Sequence, residues 1–408
     1  MNQDYLRAYA NLLVQTGLHI IPGDSIQMTL SPEAIPLARL ITEAAYKAGA
    51  LRVYTELYDS QNILARYRYA SSDSFAEVPA YDVDIVLKRY ENRTHRLYLN
   101  SPDPELLKGI DGQLISDWNK VSAEALRPLD AMILGNRVKW LVAAVPGHAW
   151  AAKVFPDLPA DEALERLWEL VFQACRCNLP DPVQAWAAHD AELKRVETYL
   201  NDARFDRLVY RGPGTSLEVG LVEGHRWVGG SSEFGDGESF MANIPTEEIF
   251  TMPHRDRVNG RIAATLPLSW QGLLIRDFWF QFKDGVVTDF GAAEGRDVLE
   301  RMLATDDSAN RLGEAALVSV DSPIYQTGVL FYSTLFDENA SCHFALGSAY
   351  EENLQESAGM TKEARTEHGM NESLIHVDFM VGSDKLDITG IKKDGSELPV
   401  MKGGRFAF

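Results

Sequence analysis

The feature that most constrains this chain is a change of texture near residue 180. Before it, amphipathic helical stretches alternate with short β patterns. After it, one strand pattern follows another with Gly and Asp turns between them. In the first part, Leu6, Tyr9, Ala10 and Leu13 recur at helical spacing over residues 4–15. Ser25–Leu30 then reads as a strand, residues 33–48 as an amphipathic helix and Arg52–Leu57 as a second strand. Further β patterns at 95–99 and 140–145 sit among helical segments, the βαβα order of an open, mostly parallel sheet. Pro180 and Pro182 interrupt this rhythm, and a helix over 185–200 leads into the second part. There, strand patterns at 208–210, 217–222, 279–282, 315–320 and 386–391 occur with Asp284-Gly285 and Asp394-Gly395, dipeptides that close hairpins. We therefore expect an α/β N-terminal domain over residues 1–184. A larger α+β domain with a largely antiparallel sheet is expected over 185–408, and 408 residues suit two domains.

Composition narrows the function. Against 59 Asp plus Glu stand 39 Lys plus Arg, a net charge of −20. That field repels phosphate backbones and anionic lipid, so neither nucleic acid nor a membrane is an expected partner, while acidic pockets attract metal ions and ammonium groups. The first six residues lack the basic and apolar segments of a secretory leader, and no apolar run of about 18 residues occurs. A cytoplasmic protein is expected. Cys175, Cys177 and Cys342 are odd in number, and C-x-C is neither a zinc-knuckle nor a redox spacing. The chain lacks G-x-x-x-x-G-K-[ST], G-x-S-x-G and H-E-x-x-H, and Gly212-Pro213-Gly214 reads as a turn.

Four segments of the second domain place polar groups where an apolar strand needs none. In residues 374–381, Ile375, Val377, Phe379 and Val381 form one apolar face, while His376 and Asp378 project together from the other, about 6.5 Å apart. Such a pair can ligate a metal, or be a histidine held by a neighbouring carboxylate. In residues 335–347, Cys342, Phe344 and Leu346 face a core. His343 points the other way between small Ser341 and Ala345, behind an Asp337-Glu338-Asn339 run that also suits a solvated turn. Glu314 interrupts an apolar strand pattern, where an unpaired charge is costly, so a cation, a proton or a metal must compensate it. Glu247 and Glu248 are adjacent between Pro245 and an apolar pair, so one is expected to point in and the other out, and Thr246 is a possible helix cap. Taken together, Glu248, Glu314, His343, His376 and Asp378 offer three carboxylates and two imidazoles. Their −3 charge largely meets the +4 of two divalent cations, the make-up of a dinuclear hydrolase site.

At these residues the chain resembles the M29 family of metallo-aminopeptidases, the aminopeptidase T and aminopeptidase S group. The matching stretches are NIPTEEIFTMPH from Asn243, RLGEAALV from Arg311, TLFDENASCHFALGSAY from Thr334 and HVDFMVGS from His376. A looser N-terminal match runs through Val145-Pro146, Trp150-Ala151 and Val154-Phe155-Pro156. The resemblance implies that Glu248, Glu314, His343, His376 and Asp378 bind two divalent ions, of zinc, cobalt, manganese or magnesium. It implies that Tyr350 assists at the reaction centre and that Glu338 is a further ligand or general base. It also implies a homodimer with an enclosed cavity that admits short peptides. On this reading the metal pair activates water, Glu314 or Glu338 takes its proton and passes it to the leaving amine, and Tyr350 donates to the oxyanion. Metal affinity is expected to fall below about pH 6, where imidazole protonates. The alternatives are a dinuclear hydrolase of other amides or esters, and a non-catalytic binder of peptides or cations. A scarcity of Arg and Lys around the motif strands disfavours phosphoesters.

Overall fold

The βαβ alternation of the first part assembles into a five-stranded parallel sheet. In the computed structural model, which describes residues 2–103, 105–235, 237–270, 273–357 and 359–408, β1 (Ser25–Leu30), β2 (Arg52–Leu57), β3 (Thr94–Asn100) and β4 (Trp140–Ala144) are ordered β4-β3-β1-β2. All pair in parallel. Alternate residues Ile26, Met28 and Leu30, with Leu97, Leu99, Leu141 and Ala143, are buried. Helix Ile35–Lys47 covers the sheet with Leu37, Ala38, Ile41 and Ala45, a stripe at helical spacing.

The chain divides into two compact units, Met1–His189 with Ser231–Pro245, and Asp190–Gly230 with Thr246–Phe408. Residues 231–245 thus leave the second part of the chain to join the first unit. There they add a parallel two-residue strand beside β4, too short and too close to Pro245 for a periodicity to show. Buried charges fasten this excursion within the first unit. Lys139, fully buried, reaches Asp24 at 3.1 Å, Glu238 at 2.6 Å and the His19 carbonyl at 2.8 Å. Arg93 pairs with Asp24 at 2.8 Å and with Glu238 at 2.9 Å.

The second unit holds an antiparallel eight-stranded sheet, in the order 286–291, 279–283, 253–263, 215–221, 207–212, 387–391, 397–402 and 405–406. Asp284 and Gly285 join two of its strands with φ of 50° and 80°, the left-handed pair a two-residue hairpin requires. A second antiparallel sheet is built from β5 (Val228–Gly229), β6 (Ile249–Thr251), β7 (Leu312–Leu317), β8 (His343–Gly347) and β9 (His376–Met380), ordered β9-β8-β7-β6-β5. The α/β unit with a parallel sheet and the α+β unit with antiparallel sheets are therefore both present.

The two sheets of the second unit share one core. Phe344, Leu346, Val377 and Phe379 meet Tyr210, Leu217, Val219 and Phe280, with ring centroids 5.0 Å apart for Tyr210–Phe344 and 5.2 Å for Phe280–Phe379. One face of the five-stranded sheet is thereby committed to apolar contact. The histidines and carboxylates of those strands use the other. Among the described residues no helix is long and apolar enough to cross a membrane.

Candidate metal centre

Strand alternation brings His343, His376 and Asp378 to that second face, and Glu248 stands immediately ahead of β6. Val377 and Phe379 lie in the core, so His376 and Asp378 face away from it, and Phe344 likewise turns His343 outward. The register sets Ala345 opposite Asp378 and also opposite Glu314 on the next strand. The methyl of Ala345 thus separates two carboxylates and leaves room between them.

Glu314 reaches this face through a bulge. Leu312 pairs with Leu346 and Glu314 with Ala345, so Gly313 is an extra residue on β7. Two residues apart in a regular strand, Leu312 and Glu314 would share a face. The bulge lets Leu312 enter the core while Glu314 faces the histidines. The strand expected at 315–320 is observed at Leu312–Leu317, which puts Glu314 within the paired ladder.

The donor atoms converge in two groups that share Glu314. His343 Nε2 lies 3.1 Å from Glu248 Oε2 and 3.3 Å from Glu314 Oε1. His376 Nε2 lies 3.5 Å from Glu314 Oε2 and 3.3 Å from Asp378 Oδ1. Each set, Glu248–Glu314–His343 and Glu314–His376–Asp378, has its ligand atoms within 4.8 Å of one another. Both imidazoles are oriented from behind. His376 Nδ1 donates to the Ser348 carbonyl at 2.7 Å, and His343 Nδ1 to the Ser341 carbonyl at 3.2 Å. A carbonyl only accepts, so each Nε2 is left to face the carboxylates.

The electrostatics are those of a concentrated acidic cluster. Burial disfavours a charged His343, but Glu248 and Glu314 outweigh it and hold its pKa well above the ordinary value. His376 behaves alike: Asp378 and Glu314 overcome burial and raise it to about 9. Burial raises Glu314 despite the hydrogen bond from His343. Asp378 is pulled below its usual range because His376 and His343 outweigh burial. Its buried Oδ1 has His376 Nε2 at 3.3 Å as an ion-pair neighbour but no aligned hydrogen-bond donor. An acceptor left in that state beside oxygen and imidazole donors fits a divalent cation, so the residues present suit the implied metal.

Glu338 and Tyr350 border these groups without belonging to either. Burial, then Glu248 and Asp378, push Glu338 well above the usual carboxylate range. The Tyr350 ring packs 4.9 Å from that of His376 and 5.8 Å from that of Phe250. Burial and the four carboxylates hold its phenol far above its ordinary pKa, so it remains a donor.

Three expectations need correction. Asp337-Glu338-Asn339 is no solvated turn. Asp337 is buried and accepts from the Phe331 and Ser333 amides at 2.8 and 3.1 Å, and Asn339 is fully buried. Thr246 caps no helix, because the following residues Ile249–Thr251 form a strand. Glu247 does not point out to solvent: it is buried at 7% exposure, beside a Glu248 side chain at 12%. Asn339 and Phe250 had gone unread as site residues. The signal for Asn339 was an amide at the end of an acidic run just ahead of an apolar strand.

Residues 2–406 match the model of the family described as thermophilic metalloprotease (M29). The chain is 43% identical to aminopeptidase 2 of Geobacillus stearothermophilus, covering 99% of this chain and 98% of that one. It is 40% identical to aminopeptidase T of Thermus aquaticus, covering 98% of each. The structure of wild-type AmpT from Thermus thermophilus superposes with a TM-score of 0.94 at 38% identity, over 99% of both chains.

Proposed function

From its place in the thermophilic metalloprotease (M29) family, to which the chain belongs, we infer that this protein is a metal-dependent aminopeptidase acting on short peptides. Glu248, Glu314, His343, His376 and Asp378 are the ligands in this reading, holding two divalent ions with Glu314 common to both. The observation that supports it is the pair of donor groups meeting at the two oxygens of one carboxylate. Zinc, cobalt, manganese and magnesium all suit a mixed carboxylate and imidazole set. A homodimer in the cytoplasm completes the reading.

Bound divalent ions supply Lewis acidity toward water and toward the scissile carbonyl. The chain supplies the rest. Glu338, with its raised proton affinity, takes the proton of the attacking water and returns it to the leaving amine. Tyr350, kept protonated, donates to the oxyanion of the tetrahedral intermediate. Carboxylates in excess of the imidazoles hold the substrate's free amino terminus, which favours an exopeptidase.

The test is substitution followed by remetallation. Glu314→Gln and His376→Ala, each stripped of metal and reloaded, should lose hydrolysis of aminoacyl chromogenic substrates and bind less metal while keeping a parental circular-dichroism spectrum. Full activity in either variant overturns the ligand assignment.

A further inference from the structure

Asn339 joins two of the chain segments that bear carboxylates of the metal centre. It is fully buried. Its Oδ1 accepts from the Glu247 amide at 2.7 Å, across 92 residues of sequence, and so fixes the peptide just before Glu248. Its Nδ2 donates to the Leu335 carbonyl at 2.9 Å and to Glu338 Oε1 at 3.4 Å. On the far side, its own carbonyl accepts from the Ser322 hydroxyl at 2.7 Å.

These partners define a chemical requirement. An amide N–H needs an acceptor, while a carbonyl and a carboxylate each need a donor. A primary amide answers all three, whereas a carboxylate cannot donate and would add charge beside Glu338. Because Nδ2 takes one lobe of the Glu338 carboxylate, the other oxygen is left for the site. We propose that Asn339 is the positioning residue that sets Glu338 and Glu248 against each other across the metal centre. The inference rests on the ligand reading above and adds to it a residue that touches neither ion nor substrate.

The experiment uses the full chain, stripped of metal and titrated with Co²⁺, whose visible absorption reports the geometry of its ligands. Asn339→Asp keeps size and the acceptor, loses the donor and sets a negative charge beside Glu338. Asn339→Ala loses donor and acceptor. Each should bind Co²⁺ about 10–100-fold more weakly than the parent, with an altered absorption band, and kcat should fall by more than KM changes. Ser322→Ala is the control for a purely structural tether: its melting temperature should fall while Co²⁺ affinity and spectrum stay parental. If Asn339→Ala does not fold, the isosteric Asn339→Asp decides. Parental affinity and spectrum in the Asn339 variants, or an equal loss in Ser322→Ala, overturns the positioning role alone. A parent chain that binds no Co²⁺ overturns the ligand assignment and this inference with it.

Discussion

At the scale of the residue, Glu314 directs one carboxylate oxygen to each of two histidines, and the protonation of those histidines governs the site. In the metal-free chain His376 keeps its proton up to about 9, and His343 is likewise held above its ordinary value by Glu248 and Glu314. A cation must displace these protons, so its affinity rises with pH. With His376 raised to about 9, the fall is expected to begin near 9 rather than below about pH 6, because the carboxylates that attract the metal also attract the competing proton. Calorimetric titration with Zn²⁺ between pH 6.5 and 8.5 should show affinity gaining about tenfold or more per pH unit. Affinity flat across that interval would contradict the assignment of both imidazoles. Asp378, the larger cause of this displacement, lies in residues 374–381 beside His376; the part due to Glu314, some sixty positions away in the chain, was not legible there.

At the scale of the element, the decisive feature is the bulge at Gly313. A Cβ there would stand 2.3 Å from the Ser348 carbonyl oxygen and 2.4 Å from that of Gly347, both main-chain atoms of the neighbouring segment. Gly313→Ala should therefore force β7 and β8 apart, costing about 1–3 kcal/mol as overpacking does, and should weaken metal binding by turning Glu314 away from His343. Urea denaturation and zinc competition on the same preparation measure the two effects. Parental metal affinity in a destabilised Gly313→Ala would separate the bulge from the site. Strand patterns showed which residues of β8 and β9 face inward, because period-two alternation is local. They place Glu314 within a strand but leave its face relative to Leu312 open, because an inserted residue reverses the alternation and only the pairing with Leu346 and Ala345 reveals it.

At the scale of the whole molecule, the Asp24–His95–Lys139 network of the first unit and His376 of the second respond to acid in opposite senses. In the first, burial opposes a charged Asp24, but His95 and Lys139 outweigh it and hold its pKa below the carboxylate range. Asp24 therefore contributes stability that is present above about pH 4 and lost as pH falls through its folded value. Burial depresses His95 despite Asp24, so its contribution is lost as pH falls below about 6.5. In the metal-free second unit the raised His376 contributes stability below about pH 6.5 that is lost as pH rises through about 9. Hydrogen exchange should accordingly show the strand around His95 losing protection between pH 7 and pH 5 while the strand around His376 keeps its own, and saturating Zn²⁺ should add protection in the second unit alone. Asp24→Asn should destabilise the first unit by about 1–3 kcal/mol, because Lys139 keeps Glu238 at 2.6 Å but loses one of its two carboxylates. Equal loss of protection around His95 and His376 between pH 7 and pH 5, or a neutral Asp24→Asn, would count against this account. The sequence by itself determined the two textures, the apolar faces of β8 and β9 and the residue types of the metal centre, because periodicity and side-chain chemistry are properties of neighbours along the chain. Only the tertiary structure decided that residues 231–245 join the first unit, that Glu314 serves both histidines and that Asn339 spans two ligand segments, because each depends on groups that meet only after the sheets have paired.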